Sequence, residues 1–174
     1  MTEKNKFTLV RKVFFDLLTL LVVGLTTGCI LGIVSNIFVM GVWKINTFRL
    51  SLNLPETLIT LTPIIFLIIS AFFIIIVRKI FEIDRFHGPP DSILASHQSK
   101  NTIDVKRGFG STLTAFISAS GGASVGQYGP LVHFGATVAS FLEKFTSRNL
   151  PPGIFIGCGV AAAISAGFNA PIAG

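Results

Sequence analysis

Between Val13 and Val42 the chain is apolar almost without interruption, broken by Asp16 near the start and Asn36 near the end. A helix of about thirty residues reaches roughly 45 Å, against a bilayer hydrocarbon core of roughly 30 Å. Such a helix crosses a membrane with a strong tilt, or projects beyond it. Gly24, Gly28 and Gly32 recur every four residues within it and predict a smooth strip where another helix approaches closely. A second run, Thr57 to Val77, is long enough to span and is stopped by Arg78 and Lys79. Pro63 lies early in this run and is accommodated in the second turn or as a mild kink.

Composition supports a membrane chain. Only 13% of the residues are charged, against about a quarter in soluble domains. With 51% hydrophobic residues and a mean hydropathy of +0.74, there is too little polar surface to cover a core. Seventeen phenylalanines against one tryptophan and one tyrosine suit lipid-facing helices better than an interfacial aromatic belt.

The net charge of +6 reads as topology and not as a nucleic-acid footprint. Lys4, Lys6, Arg11 and Lys12 precede the first run; Arg78, Lys79, Arg85, Lys100, Lys106 and Arg107 follow the second; only Lys44 and Arg49 lie between. Positive-inside logic predicts a cytoplasmic basic segment over 1–12, a cytoplasmic Arg78–Arg107 region and an external loop over 43–56. Residues 13–174 are then expected to form a multi-pass transmembrane domain in the cell membrane.

Cys29 and Cys158 sit in apolar runs without metal-like spacing and are expected to be buried small hydrophobes. "LTTGC", Leu25 to Cys29, has the look of a lipoprotein cleavage site. However, "ILGIVSNIFVM" follows it, and the run exceeds the roughly 7–15 apolar residues of a signal-peptide core. The segment is expected to be a retained helix.

After Arg107 the pattern changes. Gly108–Ser120, Gly129–Phe141 and Gly153–Phe168 are each shorter than the roughly 20 residues of a spanning helix and are separated by glycine and proline turns. In the last, small residues recur at Gly153, Gly157, Ala161 and Ser165. Helices that end inside a membrane are tolerated only where protein or an aqueous cavity satisfies their free backbone groups. Transporters use discontinuous helices of this kind to build ion sites. The expected fold is all-α and integral to the membrane, with long tilted helices first and short broken helices after.

The turn "SGGASVGQYGP", Ser120 to Pro130, admits three chemical readings. "GASVG" matches the nucleophile elbow G-x-S-x-G around Ser124, which needs a preceding strand and a remote acid and histidine. A P-loop fails because Gln127 and Tyr128 stand where lysine and serine or threonine are required. The third reading is an anion site, since a helix beginning near Gly129-Pro130 offers free N–H groups and a partial positive charge. "HGPP" followed by "DSILA" repeats the design. Two tight turns serving helix packing alone is the plain alternative.

"SGGASVGQYGPLVHFGA" and the later "GCGVAAAISAGFNAPIAG" closely resemble the CLC family of chloride channels and chloride/proton antiporters. The first resembles that family's G-[KR]-E-G-P segment and the second its A-A-x-F-N-A-P-x-A-G segment. "FHGPPD", Phe86 to Asp91, resembles the G-[SH]-G-x-P-E segment more loosely, and the likeness runs from about Arg11 to the end. The resemblance implies the first half of an inverted-repeat fold that binds chloride where broken helices meet. It carries His87, Gly88 and Pro89 from one turn, and Gly126, Tyr128, Gly129 and Pro130 from the other, onto the anion path. It places Tyr128 where the family has its gating glutamate. It implies channel-like chloride movement not coupled to protons, because a phenol neither mimics a bound anion nor relays protons readily.

Gln127 replaces the family's basic residue, and Asp91 stands for its glutamate at a favourable helix start. His97 and His133 match no ligand position and, with His87, lack zinc spacing, so both are expected to be structural or surface residues. No cofactor or metal is implied beyond the transported chloride. The family's G-x-F-x-P segment, pore tyrosine and dimer-interface helices have no counterpart here. The chain is therefore expected to need a second half or a homodimer partner besides the lipid bilayer. Three functions remain open at this point. They are a CLC-type chloride channel part, a truncated non-conducting remnant or membrane interaction subunit, and a membrane hydrolase using Ser124.

Overall fold

The computed structural model describes residues 3–52, 55–97, 103–146, 151–170 and 172. The regular structure among them is helical: α1 (Glu3–Ser51), α2 (Glu56–Ile80), α3 (Pro89–His97), α4 (Val105–Ser120), α5 (Tyr128–Glu143) and α6 (Pro152–Phe168). Among the described residues two segments are long and apolar enough to span, Val10–Ser51 and Leu61–Ile80, and each is mostly unburied. Leu21, Leu25, Ile33 and Ile37 on α1 and Ile64, Ile68, Phe72 and Ile75 on α2 all point outward. Buried helices of a soluble core do not present such surfaces, whereas lipid-facing helices do. The fold is all-α and integral to the membrane, as the sequence led us to expect.

The first helix is longer than its apolar run. It passes residue 12 without a break and continues to Ser51, so most of the expected 43–56 loop is helical. Nothing in "WKINTFRLS" breaks a helix, and its polar side chains back-bond locally: Asn46 to the Val42 carbonyl, Thr47 to Trp43 and Ser51 to Phe48. Pro55 then sits just before α2, where its missing N–H costs nothing.

The core lies where α1 crosses the short helices. Val23, Thr27, Leu31, Ser35 and Phe38 form the buried stripe of α1. Leu31 packs with Phe134, Val138 and Ala163; Val23 with Ala139 and Phe155; Phe38 with Ala119 and Leu131. Gly24, Gly28 and Gly32 lie one position round the helix from that stripe, and a Cβ on any of them would meet nothing within 4 Å. The expected close helix contact at this strip is absent among the described residues. The apolar stripe beside it won the burial. Cys29 is exposed and Cys158 half-buried, so neither is the buried hydrophobe expected, because neither falls on a packed face.

The close approaches are elsewhere. Gly135 of α5 and Gly159 of α6 face each other so tightly that a Cβ on either would overlap the other's carbonyl. Gly153 sits under the Ser96 carbonyl, where a Cβ would come to 2.6 Å, whereas Gly157 faces open space. Of the small-residue row expected on α6, Gly153 is thus in tight contact and Gly157 is not.

The ends of α2 and α4 meet at one charged surface. Glu82, in the left-handed conformation at φ 53°, closes α2, and Lys106 reaches it at 2.8 Å. Arg107 pairs with Asp84 at 2.9 Å and Asp104 at 3.4 Å, and Arg78 donates to the Ile83 and Asp84 carbonyls. These groups are largely exposed, so each pair adds little stability. Together they fix where the chain turns back toward α3.

Candidate anion site

α3 starts at Gly88, and its first turn satisfies itself. Pro89 and Pro90 have no N–H to leave free. The Asp91 and Ser92 amides both donate to the Gly88 carbonyl, at 3.0 and 3.4 Å. The Asp91 carboxylate accepts from the Gly88 N–H at 2.8 Å and from Arg85 at 2.5 Å. The His87 N–H donates to Ser111 Oγ at 3.0 Å. The backbone amides of this turn are thus occupied by the protein itself.

Burial works to raise the Asp91 pKa, but the Gly88 N–H and then Arg85 outweigh it and hold the carboxyl below its ordinary range. A depressed folded pKa means stability that is present above the unfolded value, about 4, and lost as pH falls through the lower folded value. Asp91→Ala is expected to cost about 1–2 kcal/mol at neutral pH, as other helix caps do. Unfolding in detergent followed against pH checks this; the gap to the parent should close in strong acid.

α5 starts differently. Gln127 precedes it without a side-chain capping bond, Tyr128 is its first residue, and Leu131 donates to the Gln127 carbonyl at 3.3 Å. Pro130 has no N–H. The Tyr128 and Gly129 amides therefore find no acceptor among the described residues. The turn before them needs glycine at one point, Gly122, whose φ is +96°. Gly126 faces open space.

The two turns meet. A Cβ on Gly129 would stand 3.6 Å from the Pro89 ring. Beside this contact lies a cavity of about 260 Å³ whose walls include His87, Gly88, Pro89, Pro130, Ser111 and Ser118. The structure thus gathers four of the seven residues carried onto the anion path and sets Gly129 beside them. Gly126 and Tyr128 do not line it. The Tyr128 ring stacks on Phe168 with centroids 4.3 Å apart and planes at 15°.

Sequence reasoning placed His133 outside the anion path. It is 1% exposed, lines the same cavity, and places Nδ1 at 2.8 Å from Ser92 Oγ. Of the two histidines expected to be structural or surface residues, His133 is buried and held by Ser92, while His97 is exposed and bonds Ser96 and the Ile93 carbonyl. The signal was spacing: His133 follows Pro130 by three residues, so one helical turn puts both on one face. Ser111, Thr114 and Ser118 show the same signal on α4, each at the cavity wall.

The nucleophile-elbow geometry is not met among the described residues. Helix α4, not a strand, precedes Ser124, and its cavity is shared with Asn46, Arg49 and Gln127 but no acid or histidine.

The family model of the voltage gated chloride channel matches residues 69–174, from within α2 to the end, so it does not reach α1. A chloride channel protein described as ClcB-like, from Ralstonia nicotianae, is 28% identical over 92 residues, half of this chain and 21% of its own length. Chloride channel protein CLC-e of Arabidopsis thaliana is 36% identical over 81 residues, 45% of this chain and 11% of its own length. The chain thus spans about a fifth or less of the curated relatives it matches. No solved structure gives a significant match.

Proposed function

From the premise that this chain belongs to the voltage gated chloride channel family, we propose that it carries chloride across a membrane in a channel-like manner, without coupling to protons. The observation that carries the reading is the meeting of the α3 and α5 starts, Pro89 against Gly129, at a cavity whose mainly apolar wall carries the Ser111 and Ser118 hydroxyls and two imidazoles. An anion held by neutral donors is bound weakly enough to leave again, which conduction requires. Ser111 Oγ accepts from the His87 amide and so keeps its own proton to donate. The unengaged amides of Tyr128 and Gly129 add a partial positive charge at the start of α5.

Tyr128 supports the uncoupled mode. A phenol offers no carboxylate, so this position neither imitates a bound anion nor passes protons as a carboxyl group would. Its ring leans on Phe168, away from the cavity wall. The charged surface shared by α2 and α4 faces the cytoplasm by the positive-inside rule, as does the basic start of α1. A second half, or a second copy of the chain, completes the path.

The test is chloride efflux from vesicles of the membrane that carries the protein as its cell makes it, with a potassium ionophore balancing charge. Efflux above that of matched vesicles lacking the protein is expected, and His87→Leu should reduce it about tenfold, the scale of one hydrogen bond to a charged group. Efflux equal to the control would overturn conduction and favour a non-conducting membrane subunit.

A further inference from the structure

His87 and His133 line two cavities at once. The inner one, about 260 Å³, carries Ser111, Ser118 and Pro130 and no charged residue. The other, about 150 Å³, carries Arg85, Arg107, Asp91 and Asp104. The two imidazoles lie nearly parallel, planes at 13° and centroids 6.1 Å apart, at the boundary both cavities share. His87 Nδ1 and His133 Nε2 are both buried, and neither has a hydrogen-bond partner among the described residues. Buried polar atoms are rarely left so, and two of them at one boundary point to a ligand.

The hydrogen bonds around His133 decide which kind. Its Nδ1 lies 2.8 Å from the Ser92 hydroxyl, which shows no other acceptor among the described residues. The Gly88 carbonyl, on the same cavity wall, accepts from the Asp91 and Ser92 amides and also interacts with the His133 ring. If the hydroxyl donates to Nδ1, one group is left over, the Nε2–H. In the other tautomer both the hydroxyl proton and the Nε2 lone pair are stranded. The first arrangement leaves fewer orphans, so Nε2 carries the proton and is a donor. A donor takes an anion and not a metal ion, and no cluster of three metal-ligating groups exists among the described residues.

We infer that His133 is a second anion-binding imidazole, forming with His87 a constriction that a small anion crosses between the charged mouth and the inner cavity. The proposal deepens the chloride reading and rests on it. Arg85 and Arg107 draw anions toward the mouth. Their pairing with Asp91, Asp84 and Asp104 keeps them from trapping one. Ser92 is a positioning residue that sets the His133 tautomer.

The experiment is a chloride titration of the full chain, ¹⁵N-labelled at histidine, in lipid vesicles with gluconate holding ionic strength constant at fixed pH. His87→Gln and His133→Gln assign the ring resonances, and the exposed His97 reports intact folding. Both rings should shift with one midpoint, and His133→Gln should raise the His87 midpoint about tenfold. Ser92→Ala should also raise it. A His133 resonance that stays still while His87 moves would overturn the inference, and so would two rings that ignore chloride. If His133→Gln does not fold, the unsubstituted protein still decides between these results. Rings that shift in a protein that conducts nothing would sink conduction alone. Flux with a silent His133 would sink only this proposal.

Discussion

Tyr128→Glu is expected to impose a pH gate on chloride flux, at least tenfold between about pH 7 and about pH 4 when compared with Tyr128→Phe. The phenylalanine variant keeps the ring that stacks on Phe168 and adds nothing that titrates in this range. The glutamate removes that stack, and its carboxylate starts α5 beside Gly129 and Pro130. When ionised it is an anion at the head of a helix, held by the same amides proposed to favour chloride, so it competes with the permeating ion. Protonation removes the competitor, and flux rises as pH falls. A ratio of the two variants that stays flat across this range would remove Tyr128 from the ion path.

Gly159→Leu is expected to take apart the α5–α6 crossing, at a cost of about 3 kcal/mol or more. A Cβ at this position overlaps the Gly135 carbonyl and comes to 2.7 Å from the Ala139 Cβ. Neither is the movable end of a long side chain, so the helices themselves must separate. His133, on α5, would lose its place opposite His87. Gly157→Leu, two residues away on the open face, is expected to change stability by no more than about 0.5 kcal/mol. Gly28→Leu on α1 should be equally mild. Thermal unfolding of the three variants in detergent checks the ordering. A mild Gly159→Leu would mean that the crossing is not what holds the short helices together.

Much of this architecture was legible because short helices punctuated by glycine and proline leave plain marks. The boundaries expected for α4, α5 and α6 lie within a few residues of those observed, since "SGGASVGQYGP" and the Pro151-Pro152 pair at the start of α6 mark helix ends by their backbone chemistry alone. The far end of α1 was not legible. Hydropathy reports where apolar residues stop, and Trp43 to Ser51 continue the helix on hydrogen bonds and the absence of a breaker.

The glycine strip misled for a related reason. A four-residue repeat is a sufficient shape for close packing, but Gly24, Gly28 and Gly32 lie one position round from the stripe that tertiary contacts bury. The glycines that do pack, Gly135 and Gly159, stand alone on different helices and show no repeat.

The site divided the same way. The turns at His87–Pro89 and Gly126–Pro130 were readable as helix starts, and the structure brings them into contact. The state of their amides was not readable, because Gly88 is capped by Asp91 and His87 by Ser111, a residue 24 positions away in sequence. His133 was read as a structural or surface residue because a ligand list taken from motifs says nothing about which neighbouring face a helix turns inward.

Chloride movement without protons is tested most directly by its stoichiometry. Vesicles carrying the protein, given a chloride gradient, no pH gradient and an ionophore to dissipate voltage, should lose chloride while a pH-sensitive dye inside them stays constant. Proton movement in fixed ratio to chloride, under the same conditions, would contradict the account.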